Sequence, residues 1–275
     1  MCSNRYENVT RRRRRGSSDD YHYLQIIANF LGTISKIVTV IGAGISTDIG
    51  IPDFRSKTGI YSLVDRHLFY SSVLFNPESR SLFYRRIADI RRDAKNANPT
   101  KTHHFIRNLH DSGKLVRDYT QNIDYLEEMV GLSTDIGVEY VLLYRSLYRL
   151  RCSNCPGTFS WHEGGREMES LSGPGPPCPG YTKISDDRKA KGKRVTAIGK
   201  LRPDIVLYDE QDPRAEAISA IVSYDQSLRP DVLLIIGTSL TTYGVQLLIR
   251  DFAKVIHKRR TRKVVFVNRI EPAKS

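Results

Sequence analysis

The run Lys36-Ile37-Val38-Thr39-Val40-Ile41, closed by Gly42-Ala43-Gly44, constrains this chain more than any other stretch. It is apolar and β-branched almost throughout, and a strand without polar alternation needs both faces covered. The middle of a parallel sheet with helices on either side meets that need. Glycines directly after such a strand let backbone approach a pyrophosphate, whose charge then meets the N-terminal dipole of the next helix. Alone the signal is weak, because the third glycine of the usual dinucleotide fingerprint would fall at Thr47.

The rest of the chain repeats the alternation. Helical periodicity is predicted over 24–31, 77–95, 102–109, 124–130, 213–225 and 243–258. Strand-like runs fall at 115–119, 138–143, 205–208, 232–236 and 264–267. The pattern predicts an α/β fold: a Rossmann-like doubly wound parallel sheet with a helical insertion after the first strand. Between about 150 and 200 it breaks into Gly, Pro, Cys and charge. That segment reads as a small inserted module of zinc-ribbon type, whose order needs something other than a core. The predicted plan is a flexible basic tail over 1–20 and one domain over 21–275, with a large part (36–149 and 201–275) and the small module (150–200).

Composition narrows the setting. Length (275 residues) and 40% apolar content suffice for one large core plus a small module. Neither a membrane-spanning run nor a secretory leader is read, so the expectation is a soluble intracellular protein. Four cysteines are too few for a disulfide framework, and Cys152-x-x-Cys155 is better explained by metal. A net charge of +13 favours acidic partners, chromatin among them. The run Arg11–Arg15 reads either as a nuclear localisation signal or phosphate contact, or as a solvated arm; no nucleic-acid-reading motif accompanies it.

The segments Gly42-Ala43-Gly44-Ile45-Ser46, Gly50-Ile51-Pro52-Asp53-Phe54-Arg55, Thr120-Gln121-Asn122-Ile123-Asp124, Gly237-Thr238-Ser239-Leu240 and Val267-Asn268 resemble, in that order, those of the sirtuins, NAD-dependent protein-lysine deacylases. Tyr243-Gly244-Val245 after the Gly-Thr-Ser-Leu turn is similar to the fungal nuclear subgroup that deacetylates histones. The resemblance implies that Gly42, Ala43, Gly44, Gly237, Thr238 and Ser239 hold phosphate and ribose. It implies further that Asp53, Phe54 and Arg55 cover the nicotinamide ribose. Gln121 and Asn122 would handle ribose hydroxyls and the substrate-side water, Asp124 the carboxamide and Asn268 the adenosine. NAD would be the cofactor, structural zinc a second, and an acetylated histone or other acetyl-lysine protein the partner, in the nucleus. No membrane is involved.

Several positions depart from the family pattern. Tyr144 stands where a histidine acts as general base on a ribose hydroxyl, and a phenol of pKa about 10 is ionised in roughly one molecule per thousand at pH 7. Arg145 replaces the adjacent glycine, bringing bulk and charge towards the acetyl-lysine tunnel or swinging out to solvent. Cys152, Cys155 and Cys178 give three of four zinc ligands, but the fourth position is Tyr181. His162, Asp186 or water are the candidate substitutes, and a leaky site predicts partial disorder over 150–200. Asp209 stands before Glu210 where the family has glycine; it is strained if its φ is positive, or it points at a basic histone tail. The chain stops soon after Asn268, which the resemblance reads as C-terminal truncation of a degenerate member. Three readings stay open: a working deacetylase, a binding-only pseudoenzyme, or a poorly folding copy.

Overall fold

The computed structural model describes residues 7–10, 18–133, 138–173, 175–259 and 261–269. In chain order its elements are β1 (Glu7–Thr10), α1 (Ser18–Thr33), β2 (Ile37–Ile41), the single turn α2 (Ile60–Leu63), α3 (Pro77–Asn96), α4 (Lys101–Asp111), β3 (Leu115–Thr120), α5 (Leu126–Met129) and β4 (Tyr140–Leu142). There follow β5 (Arg145–Cys152), β6 (Thr158–Phe159), α6 (Arg166–Ser172), α7 (Pro179–Ala190), β7 (Leu201–Ile205), α8 (Ala215–Ser227), β8 (Val232–Ile236), α9 (Tyr243–Ile256) and β9 (Lys263–Asn268).

Six strands form a parallel sheet in the order β1-β9-β8-β2-β3-β4. Every residue of β2 is buried, and its alternation shows why the run had to be apolar throughout. Val38 and Val40 meet Val245, Ile249 and Phe252 of α9 on one face. Ile37 meets Leu31 of α1 and Leu109 of α4 on the other. Each such side chain contributes about 1.5–3 kcal/mol of burial. The chain leaves β2 towards β3 on one side and reaches β8 on the other. The strand order therefore reverses at β2, which opens a crevice beyond the strands' carboxyl ends.

Two expectations are corrected here. Residues 205–208 are no strand of the main sheet. β7 ends at Ile205 and pairs antiparallel with β5, in a separate sheet of order β6-β5-β7. The stretch after it is apolar because it lines a cleft; Tyr208 makes one isolated bridge, to Tyr70. The tail is not wholly irregular either, since Glu7–Thr10 pairs with Val265–Asn268 and gives β9 a second neighbour. The Arg11–Arg15 run and Cys2 lie outside the described residues.

The small module spans more than 150–200, because its sheet begins at Arg145 and returns at Ile205. It also has a share in a core, contrary to expectation. Leu147, Leu150, Cys152, Trp161, Cys178 and Leu201 pack with Phe83, Tyr84 and Ile87 of α3. That helix starts cleanly: Asn76 accepts from the Glu78 and Ser79 amides, and Pro77 opens its first turn. Buried Arg91 lies 4.9 Å over the Trp161 ring and pairs with Glu167 at 2.7 Å, pinning the module to α3. Over the described residues the module contains α6 and α7.

Candidate functional site

A cleft of about 1670 Å³ opens where β2, β3, β8 and β9 end. Gly42, Ala43, Gly44, Asp53, Phe54, Arg55, Gln121, Gly237, Thr238, Ser239 and Asn268, far apart in sequence, all line it. Two loops meet very closely at its floor. The Gly44 amide donates to the Gly237 carbonyl at 2.8 Å, and a Cβ on Gly44 would lie 2.7 Å from that oxygen. Gly237 itself has φ 65°, so both glycines are required by geometry. Gln121 donates to the Ile41 carbonyl and the Thr238 hydroxyl, and Asn268 donates to the Thr238 carbonyl, tying four strand ends together.

Asn122 and Asp124 sit behind the wall that Gln121 and Ile123 present. Asp124 is buried, with Ser46 Oγ donating to it at 2.7 Å, and burial raises its pKa against that hydrogen bond. Asn122 is 2% exposed, and neither its amide nitrogen nor its amide oxygen has a protein partner. A buried amide left unpaired is costly unless a ligand or water satisfies it. That orphaned amide, and a cleft larger than the few hundred to about 1,000 Å³ of small-ligand pockets, fit a dinucleotide with a second ligand beside it.

Beneath the loop lies a buried polar cluster that the sequence did not reveal. His103, Asp124 and Glu127 bring ligand-type atoms within 4.8 Å of one another. The Thr100 amide donates to His103 Nδ1, so the neutral ring carries its proton on Nε2, facing the carboxylates. With its Nδ1 lone pair committed to Thr100, His103 lies beside the carboxylates but its Nε2 makes no hydrogen bond to them. Burial, with help from His104, lowers its pKa to about 4. Burial also pushes Asp118 up to about 7 against a hydrogen bond from Thr39, and holds Glu127 well above the usual carboxylate range. The missed signal was acidic density: Asp124, Glu127 and Glu128 within one short turn.

The aromatic wall was also missed. Phe54 stacks against Tyr61 and Phe69 with centroids 5.7 Å away in each case. Tyr61 donates its hydroxyl to Tyr208 at 2.8 Å, and Arg55 Nη2 donates to the same oxygen at 3.2 Å. Tyr208 thereby fastens the Arg55 loop to the segment leaving β7. Asp53 accepts from the Arg55 and Ser56 amides, so its carboxylate shapes that loop.

Tyr144 lines the cleft. Burial raises its phenol above the ordinary value, and a hydrogen bond with Thr242 and the charge of Arg55 oppose this only in part. Arg145 is a correction: it neither enters the cleft nor reaches into solvent. Its guanidinium lies 2.7 Å from Asp204 and 3.4 Å from Asp212. The glycine of the family pattern is explained by backbone, since Arg145 has φ 63°; Asp209 has φ 64°, the strained one of the two readings its position left open.

In the small module the Sγ atoms of Cys152, Cys155 and Cys178 lie within 4.8 Å of one another. The Tyr181 hydroxyl donates to the Asn154 carbonyl at 3.0 Å. His162 is engaged by Arg91 and Glu167 and, like Asp186, does not join the cluster. Three thiolates without a fourth protein donor, among the described residues, do not complete a tetrahedral zinc site.

A doubly wound sheet with its cleft at the switch point, and a small cysteine-bearing module beside it, defines a nucleotide-binding α/β protein. The comparisons make that class specific. The sequence pattern of the Sir2 family matches residues 42–244. The chain is 36% identical to the NAD-dependent histone deacetylase HST3 of Candida albicans over 90% of its own length and 56% of that protein's. It is 34% identical to HST4 of Saccharomyces cerevisiae, over 94% of this chain and 75% of that protein. A solved Sir2 bearing a histidine-to-tyrosine substitution, bound to a p53 peptide and NAD, superimposes with TM-score 0.67 at 23% identity, covering 90% of this chain and 87% of the other. This chain belongs to the Sir2 family, on the side of its fungal Hst3/Hst4 members.

Proposed function

We propose that the chain binds NAD and an acetyl-lysine segment, histone tails foremost, in the cleft, and removes the acetyl group far more slowly than a histidine-bearing relative. The observation that carries this is Tyr144: everything around it lines an intact cleft, while burial keeps its phenol protonated at neutral pH. Gly42–Gly44 and Gly237–Ser239 would take phosphate and ribose, Asn268 the adenosine, and Gln121 a ribose hydroxyl. Asp124 would read the carboxamide and Asn122 the substrate-side water. NAD would supply the ribose that receives the acetyl group.

Binding without efficient turnover is supported by the Sir2 His-to-Tyr protein captured with both peptide and NAD. A histone substrate and a nuclear location are supported by the histone deacetylases among the relatives and by the net charge of +13. The experiment is saturation binding of NAD together with nicotinamide release from an acetylated histone peptide, for the unaltered chain and Tyr144→His. Saturable NAD binding with turnover recovered in the variant is expected. Equal turnover in the two refutes the role given to Tyr144.

A further inference from the structure

The cysteine cluster of the small module disagrees with the four-ligand zinc site its family pattern leads one to expect, and the disagreement is itself informative. Cys152 ends β5, Cys155 sits in the turn after it, and Cys178 precedes α7. Cys155 and Cys178 have Sγ atoms 4.0 Å apart and all three sulfurs lie within 4.8 Å of one another, so a slight closing of the side chains brings them onto one ion. Glycines clear space beside two of the sulfurs. A Cβ at Gly199 would stand 2.9 Å from Cys152 Sγ, and one at Gly157 would stand 3.3 Å from Cys155 Sγ. The Asn154 amide donates to Cys152 Sγ at 3.3 Å, the support a thiolate charge needs from its surroundings.

The fourth corner is where the site differs. Tyr181 lies one turn along α7 from Cys178, and its ring packs against the same core as the three cysteines. Its hydroxyl gives its proton to the Asn154 carbonyl, which leaves a neutral phenol and not a phenolate ligand. Among the described residues no further His, Cys, Asp or Glu joins the three sulfurs.

We propose that Cys152, Cys155 and Cys178 form a three-sulfur site that takes a thiophilic ion satisfied by three thiolates, trivalent arsenic being the clearest case, in preference to zinc. Zinc prefers four ligands and here would draw its fourth from solvent, which is readily exchanged. Arsenous acid needs no fourth. Three As–O bonds break and three As–S bonds form, each hydroxide leaving as water with one thiol proton. Arsenic stays trivalent and no electron moves. This site is separate from the nucleotide cleft, so the inference does not depend on the activity proposed above.

The test uses the full chain, metal-free and thiol-reduced, titrated with zinc against a chromophoric chelator and with arsenite by intact mass. Four proteins are compared: unaltered, Tyr181→Cys, Tyr181→Phe and Cys178→Ser. The unaltered chain and Tyr181→Phe are expected to bind one arsenic each, and Cys178→Ser to lose that adduct. Tyr181→Cys should tighten zinc by about 100-fold or more, the upper end of what losing an outer-shell partner alone costs, and change arsenite affinity by less than about tenfold. Should Tyr181→Cys fold poorly, the unaltered chain still decides the matter: equimolar arsenite must displace its zinc. Zinc that resists arsenite there, or zinc held within about tenfold of the Tyr181→Cys affinity, overturns the proposal.

Discussion

The nucleotide cleft and the cysteine knuckle each carry one tyrosine where the family pattern has a more reactive side chain, and the two tyrosines interrupt different things. Tyr144 leaves its surroundings intact: the strand ends still converge, and the ring packs between the two large cores. On the proposed reading, what it removes is a proton acceptor, a loss of chemistry without a loss of shape. Tyr181 keeps a well-packed ring and a satisfied hydroxyl, but it takes away a ligand from a site defined by counting ligands. A site made by many weak contacts survives one change; a site made by four bonds becomes a different site.

The largest effect expected from breaking this contrast is at Tyr144. Restoring the base with Tyr144→His should raise deacetylation of an acetylated histone peptide by about 10²–10⁴-fold, measured as nicotinamide and deacetylated product. Residual turnover of the unaltered chain should climb about tenfold per pH unit from 7 to 9, because the raised phenol is a base only when ionised. A flat profile would assign that residue of activity to another group. In the knuckle, saturating zinc should stabilise Tyr181→Cys over the unaltered chain by about 2–3 kcal/mol, seen as a higher Tm, if its affinity is 100-fold greater. An identical shift in both proteins would erase the distinction between the two tyrosines.

A smaller effect probes the floor beneath the cleft. Burial holds Asp118 at about 7, above its ordinary 3.8, so the folded protein keeps that proton more tightly than the unfolded chain. The resulting stability is complete below about pH 4 and is lost as pH rises towards 7. Asp118→Asn retains an oxygen to accept from Thr39 and cannot ionise. Urea unfolding at pH 8 should show it more stable by about 1–2 kcal/mol, with no advantage at pH 4. Smallest are the two left-handed positions. Asp209→Gly should stabilise by about 0.5–1 kcal/mol, since Asp209 is exposed at φ 64°. Arg145→Gly should give close to nothing, because relief at φ 63° is offset by breaking the ion pairs with Asp204 and Asp212.

The parallel sheet was legible because its strands cannot be anything else: Ile37–Ile41 and Val232–Ile236 are buried on both sides, and that demand is written in every residue. The phosphate-side loops were legible for a similar reason, since close backbone approach leaves room only for glycine at Gly44 and Gly237. The second sheet was not. β7 reads Leu-Arg-Pro-Asp-Ile, and its charged residues pair with Arg151 of β5 and with Glu210 beyond β7, a tertiary arrangement that no local pattern displays. Arg145 was misplaced because a glycine in a motif can mean room or can mean handedness. Sequence cannot tell which; φ can. The His103 cluster showed in sequence only as acidic density around Asp124 and Glu127; His103 comes from α4, and only the fold brings it to them.

The pairing of Glu7–Thr10 with β9 has a practical consequence for anyone shortening this protein. A version that began at Ser18 would leave Lys263–Asn268 as a bare sheet margin, with its outward amides and carbonyls seeking a mate. Another copy of the same molecule could supply one, so the trimmed protein should clump where the longer one stays dispersed.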